Sequence, residues 1–311
     1  MNLRRKTVCG LVVLITLMLA LITLAVAQIH QKMSLPPPTV ELKAPLVVVP
    51  MNLRFGHPSV QVSIDGKGPF PFVIDTGAEG SVISDSLVSD LNLEIKGEAM
   101  VGSPSGGKPL PGKIVQIRRL DLGEASVLNF FVVAFDASNV FRQGGSPRGV
   151  LSAKAFSGYL FTLNYPKKRM ELRVGELPPA DNTEILDYDA STRLPDVPVR
   201  VAGVDLHANL DSGSSYGLVV PAKYAGQLPL NGKLLPFPKI HRVDMESEVQ
   251  HAKLKGVMQL GRYTFSNPDV IFDKSLQTAN VGTGILQRFR VTLDSKNHRI
   301  QLQEIPADES D

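Results

Sequence analysis

One arrangement of residues occurs twice in this chain, and it limits the fold more than any other feature. The first copy runs Phe72-Val73-Ile74-Asp75-Thr76-Gly77, then Leu120-Asp121-Leu122-Gly123, then Val132-Val133-Ala134-Phe135-Asp136. It ends with Thr162-Leu163-Asn164 and Arg169-Met170-Glu171-Leu172. The second copy runs Ala208-Asn209-Leu210-Asp211-Ser212-Gly213, then Met258-Gln259-Leu260-Gly261, then Val270-Ile271-Phe272-Asp273. It ends with Thr292-Leu293-Asp294 and Arg299-Ile300-Gln301-Leu302. Asp75 to Gly123 spans 48 positions and Asp211 to Gly261 spans 50, while Gly123 to Phe135 spans 12 and Gly261 to Phe272 spans 11. A period of this length is too long for a solenoid repeat and suits a lobe. The chain is expected to be a duplicated unit.

The unit reads as β. Val60, Val62 and Ile64 alternate with polar neighbours, and Asp65-Gly66-Lys67-Gly68 supplies a turn. The 26 glycines and 23 prolines fit many short strands joined by turns. Helical patterns are short, over residues 84–91, 153–157, 222–228 and 284–289.

Each copy carries Asp-[Ser/Thr]-Gly at the same point, just after an apolar strand-like approach. A lone Asp-Thr-Gly is explained by a turn, with Asp bonding the backbone ahead of it. Two in register within a duplication call for more. Two similar lobes facing across an approximate two-fold axis bring equivalent residues together. If those residues are carboxylates, close approach prevents both from ionising, and the pair shares a proton. One member then takes a proton from water while the other donates to a carbonyl, which suits amide hydrolysis with no covalent intermediate. The aspartic-protease dyad is the standard example of such a pair. Gly77 and Gly213 lack a Cβ, so the two loops can pass closely.

The strings Val73-Ile74-Asp75-Thr76-Gly77-Ala78 and Leu210-Asp211-Ser212-Gly213-Ser214 resemble the active-site loops of aspartic peptidases. Asp-Thr-Gly-Ala is especially similar to the retropepsin-like branch. The tails, Gly149 through Leu172 and Val281 through Leu302, resemble the segment that follows the family's second motif, two hydrophobics and a Gly. The resemblance covers nearly all of residues 55–303. It implies a mostly β, bilobal, pseudo-two-fold fold with closed-barrel-like lobes, pepsin-like in outline, and a cleft between them. It implies endopeptidase activity on a polypeptide substrate, with no cofactor and no metal. Asp75 and Asp211 would form the catalytic dyad, with Thr76, Gly77, Ser212 and Gly213 supporting it and the Thr76 and Ser212 hydroxyls tying the loops. Besides lacking the cystines common in secreted pepsins, the sequence departs from the family at three points. Ser152 stands where a Gly is expected, Asn280 replaces one of the two hydrophobics, and no Tyr lies between Asp75 and Gly123. The glycine-rich stretch 102–107 is the expected flap. A second reading is a catalytically silent, retropepsin-like envelope protein that holds extended peptides in the same cleft. A third is a zymogen-like state with residues 28–50 in the cleft.

The N-terminal segment suggests export. Arg4, Arg5 and Lys6 form a positive n-region, residues 8–24 are almost continuously apolar, and Ala25-Val26-Ala27 offers a cleavage site. The apolar run is also long enough to span a bilayer. Residues 1–27 are thus read as a signal peptide or membrane anchor, with the rest periplasmic or otherwise extracytoplasmic and possible membrane attachment through residues 8–27. Residues 28–50 are read as a Pro-rich tether, 51–176 as the first lobe, 177–195 as a linker, 196–304 as the second lobe and 305–311 as a tail. The only cysteine, Cys9, precedes the lobes, so these have no thiol chemistry and no disulfide.

Other chemistries find little support. The charge of +3 comes from the n-region, and the remainder carries 30 basic and 30 acidic residues without the basic run that nucleic-acid binding requires. Residues 102–109 approach a P-loop, but Pro109 occupies the position of its Ser/Thr. Gly282-Thr283-Gly284 begins a dinucleotide fingerprint but lacks the third Gly, and the six histidines show no metal-ligand spacing. Duplication places both aspartates in one chain, so no oligomer is needed to complete the site.

Overall fold

The computed structural model describes residues 35–54, 56–102, 106–136, 147–189, 191 and 194–305. The signal or anchor segment 1–27 and the tail from 306 lie outside these. Among the described residues no helix is long and apolar enough to cross a membrane. Every element below belongs to the compact unit Pro37–Asp311.

Strands dominate, and the short helices fall where the sequence places them. Helix α1 spans Asp85–Leu91, capped by the Ser84 hydroxyl accepting from the Leu87 N–H. Helix α2 spans Thr283–Leu286, and single 3-10 turns span Ala153–Phe156 and Ala222–Tyr224.

Each copy of the repeat builds a nine-stranded sheet of its own. In the first, β4 (His57–Ile64) and β5 (Lys67–Asp75) form a hairpin around Asp65 and Gly66, whose φ angles are 48° and 80°. Two consecutive left-handed residues suit the twist of flanking strands, and Asp-Gly tolerates them well. In the second, β14 (Asp196–Val201) and β15 (Val204–Asp211) form the equivalent hairpin. Strand β10 (Gly149–Ser152) lies parallel to β5 with Ser152 opposite Asp75. Strand β22 (Ala279–Gly282) lies parallel to β15 with Gly282 opposite Asp211. The duplication read from spacing therefore extends to strand register. In the first sheet β8 (Leu110–Leu122) pairs with β4 and with β9 (Ala125–Phe135), so the hydrogen-bonded path returns on itself. The second sheet runs as an open path from β17 (Leu230–His241) to β20 (Tyr263–Ser266).

A six-stranded sheet joins the two halves. Strand β11 (Leu160–Asn164) pairs antiparallel with its repeat counterpart β23 (Phe289–Asp294), and Thr162 faces Thr292 with the hydroxyl oxygens 2.9 Å apart. Equivalent residues that pair with each other mark a local two-fold axis. One continuous core then packs side chains of both halves, including Phe72, Ile74 and Leu151 with Leu210, Val220 and Val281. Burying each such aliphatic or aromatic side chain stabilises by about 1.5–3 kcal/mol.

The structure corrects two segment readings. The expected tether 28–50 includes strands β1 (Thr39–Leu42) and β2 (Leu46–Pro50), paired with β9 and with β12 (Arg169–Arg173). Val47 and Val49 are buried while Leu46 and Val48 face out, the alternation of a half-buried strand. Residues 46–50 are therefore committed to a sheet, which removes them from the zymogen reading. The expected linker 177–195 contains strand β13 (Ile185–Asp187), paired with β24 (Arg299–Glu304), and it buries Leu177, Ile185 and Leu186.

Candidate active site

Strands β5 and β15 end at Asp75 and Asp211, and the loops after them meet. The Thr76 N–H donates to Ser212 Oγ at 2.9 Å, and the Ser212 N–H donates to Thr76 Oγ1 at 2.9 Å. The Thr76 hydroxyl donates to the Leu210 carbonyl at 2.6 Å, and the Ser212 hydroxyl donates to the Ile74 carbonyl at 2.8 Å. Both side chains are buried. Four reciprocal bonds thus satisfy backbone groups that would otherwise be orphaned where two strands stop together.

The aspartates face each other across this lock. The Gly77 N–H donates to Asp75 Oδ1 at 2.7 Å, and the Gly213 N–H donates to Asp211 Oδ1 at 2.8 Å. A Cβ on Gly77 would lie 2.5 Å from Asp211 Oδ1, and one on Gly213 would lie 2.5 Å from Asp75 Cγ. Each glycine of the motif is therefore spaced against the opposite carboxylate, as the motif alone suggested. Burial first, and then the Asp211 charge beside it, hold the Asp75 carboxyl well above the usual carboxylate range, although the Gly77 N–H opposes them. The structure brings together all six residues singled out in the sequence, Asp75, Thr76, Gly77, Asp211, Ser212 and Gly213.

Three further residues stand at the site that the sequence motif did not assign to it. The Asn280 side-chain amide donates to Asp211 Oδ2 at 2.6 Å. His57, at the start of β4, keeps Nδ1 buried without a hydrogen-bond partner. Burial holds its pKa below the ordinary histidine value, against the pull of the Asp211 charge and the Ser212 backbone. The Tyr165 phenol is buried beneath the loops and its pKa is pushed up, chiefly by burial and also by the charges of Asp211 and Asp75. Asn280 had a visible signal, an amide where the pattern calls for an apolar residue. His57 and Tyr165 had none, because their approach to the loops depends on tertiary packing.

The departure at Ser152 is accommodated. Its hydroxyl donates to the Ala78 carbonyl at 2.7 Å and accepts from the Lys154 N–H at 3.2 Å. At the equivalent Gly282 a Cβ would lie 2.6 Å from the Ser214 carbonyl oxygen. One copy has room for a side chain there, and the other does not.

Two hairpins from the two halves meet. Strand β7 (Glu94–Val101) and β8 form the glycine-rich hairpin expected as a flap, with residues 103–105 of its tip outside the described set. Strands β17 and β18 (Glu246–Leu254) form the other. Val243 of the second packs against the small cluster of Val101, Leu110 and Phe135 in the first half. A Cβ on Gly107 would lie 2.6 Å from Asp244 Cγ. The turn end of the second hairpin is pinned by Arg242, which donates to the fully buried Asp273 at 2.7 Å, and Asp273 also accepts from the Ser247 hydroxyl at 2.6 Å.

Among the described residues no cluster of His, Cys, Asp and Glu could hold a metal ion. Such a pair of carboxylates, one with its pKa raised beside the other, can hold and release one proton within reach of a bound water. Among curated proteins, none matches the chain. Residues 60–154, the stretch that includes Asp75 with β5 and β10, match the family model described as aspartyl protease.

Proposed function

We propose that the chain is an aspartic-type endopeptidase of the retropepsin-like kind, and that it hydrolyses peptide bonds with a water activated between Asp75 and Asp211. The observation that carries the reading is the placement of each of two equivalent aspartates against the motif glycine of the other, with the Asp75 carboxyl raised in part by the Asp211 charge. Asp75 and Asp211 are the catalytic residues in this reading, and Thr76, Gly77, Ser212 and Gly213 hold them.

The chemistry follows from a pair that shares one proton. The ionised member takes a proton from water as the water oxygen bonds to the peptide carbonyl carbon. The protonated member donates to the carbonyl oxygen, giving a neutral gem-diol. In the second half the proton gained from water passes to the leaving nitrogen as the C–N bond breaks. A hydroxyl proton of the gem-diol returns to the other carboxylate as the new carboxyl group forms. No residue forms a covalent bond to the substrate, and the chain supplies both carboxylates itself. The proposed compartment is extracytoplasmic, on the strength of the positive and apolar segments before residue 28.

The test is incubation of the full chain with a mixed peptide library from pH 3 to pH 8, with products read by mass spectrometry and binding measured alongside. Internal cleavage at defined bonds supports the peptidase. Saturable binding with no cleavage at any pH supports instead the silent peptide-holding protein.

A further inference from the structure

The two aspartates are equivalent by duplication but differ in what surrounds them. Val150 and Asn280 hold the same position in β10 and β22, two residues before Ser152 and Gly282, which lie opposite the aspartates. They also face equivalent partners, Val150 opposite Val82 and Asn280 opposite Val219. A valine has nothing to donate. The Asn280 amide donates to Asp211 Oδ2 while the Gly213 N–H donates to Asp211 Oδ1, so both oxygens of Asp211 accept from neutral donors. No side-chain amide stands at the Val150 position beside Asp75.

The amide is expensive to keep there. It lies between Ala279 and Val281 of a largely buried strand, and its Oδ1 is buried without a hydrogen-bond partner. An unpaired buried polar atom costs on the order of 1–3 kcal/mol. Only the NH₂ end of an asparagine side chain donates, and an ionised carboxylate only accepts. The contact at 2.6 Å is therefore strongest when Asp211 is the charged member. The other titratable groups about the pair are His57 from β4, with its pKa lowered by burial, and the Tyr165 phenol, with its pKa raised by burial. Burial favours the neutral form of both.

We propose that Asn280 is a positioning residue that breaks the symmetry of the pair, confining the negative charge to Asp211 and the shared proton to Asp75. Within the peptidase reading, on which the assignment of roles rests, Asp211 is the base that takes the proton from water. Asp75 is the acid that gives its proton to the carbonyl oxygen. The charge placement itself holds whether or not the chain cleaves peptides.

The test is a pH titration of the full chain labelled with 13Cγ-aspartate, with the two signals assigned through Asp75→Asn and Asp211→Asn. In the wild type, between the two titration steps of the pair, the Asp211 carbon is expected at the carboxylate shift and the Asp75 carbon at the carboxylic-acid shift. Asn280→Val, which installs the residue of the first copy, is expected to raise the first step by about one pH unit and to spread the proton over both residues. Val150→Asn combined with Asn280→Val is expected to move the charge to Asp75. A wild-type spectrum with the proton on Asp211, or an Asn280→Val titration that coincides with wild type, overturns the proposal. Both results are read without turnover, so an absence of cleavage counts against the peptidase reading alone.

Discussion

The Thr76 N–H donates to Ser212 Oγ and the Ser212 N–H donates to Thr76 Oγ1, both at 2.9 Å, across 136 positions of chain. This exchange locks the ends of β5 and β15 together and sets the spacing of the two carboxylates beyond them.

Removing one hydroxyl of the lock should therefore cost more than a typical surface change. Ser212→Ala leaves the Thr76 N–H and the Ile74 carbonyl without partners in a buried setting. The expected loss is about 2–6 kcal/mol, since each of the two unsatisfied buried groups costs about 1–3 kcal/mol. Urea unfolding measures it. Ser212→Thr, which keeps the hydroxyl, should retain more of the stability than Ser212→Ala.

Asp75 makes a prediction about pH. Its folded-state pKa lies above the unfolded value, so its favourable contribution is fully present below about pH 4 and is lost as pH rises through the folded value. Asp75→Asn mimics the protonated side chain and escapes that loss. The variant should be as stable as the wild type in acid and more stable at neutral pH, as read by thermal unfolding at the two pH values.

The Arg242–Asp273 pair works in the opposite direction. Burial disfavours the Asp273 charge, but the Ser247 hydroxyl, the Ser275 backbone and hydroxyl, and the Arg242 guanidinium outweigh it and hold the carboxyl below its ordinary value. Its contribution is present above about pH 4 and is lost as pH falls through the folded value. Arg242→Ala strands a buried carboxylate and should cost about 3–5 kcal/mol at neutral pH, with a smaller cost in acid. Denaturant unfolding at both pH values checks the sign.

The two copies should respond differently to exchange at the residue facing each aspartate. Ser152→Gly removes the bond to the Ala78 carbonyl and should cost about 1 kcal/mol. Gly282→Ser forces a Cβ against the Ser214 and Tyr216 carbonyls, and it should lower the melting temperature far more than the reverse change does in the first copy. Thermal unfolding of the two variants side by side gives the comparison.

Much of this was legible in the sequence because duplication supplied an internal control. Two Asp-[Ser/Thr]-Gly motifs at matched spacing implied equivalent strand ends, and the registers of Ser152 with Asp75 and Gly282 with Asp211 bear out that equivalence. The Asp65-Gly66 turn was readable because few residue pairs tolerate two left-handed positions. Strands β1 and β2 were not, because the prolines before them suggested a tether and their pairing partners lie 83 to 127 positions away. His57 and Tyr165 escaped for a related reason. Nothing local marks a residue whose role depends on which strand end it is packed against. Asn280 lay between the two cases, conspicuous as an exception to an apolar pattern yet silent about its partner 69 positions away.

The most direct measurement is the peptide-cleavage rate of Asp75→Asn, Asp211→Asn and the double variant beside wild type. If the two carboxylates act as one proton-sharing unit, each single variant falls to the level of the double while its thermal unfolding remains cooperative. Wild-type cleavage by either single variant contradicts the account.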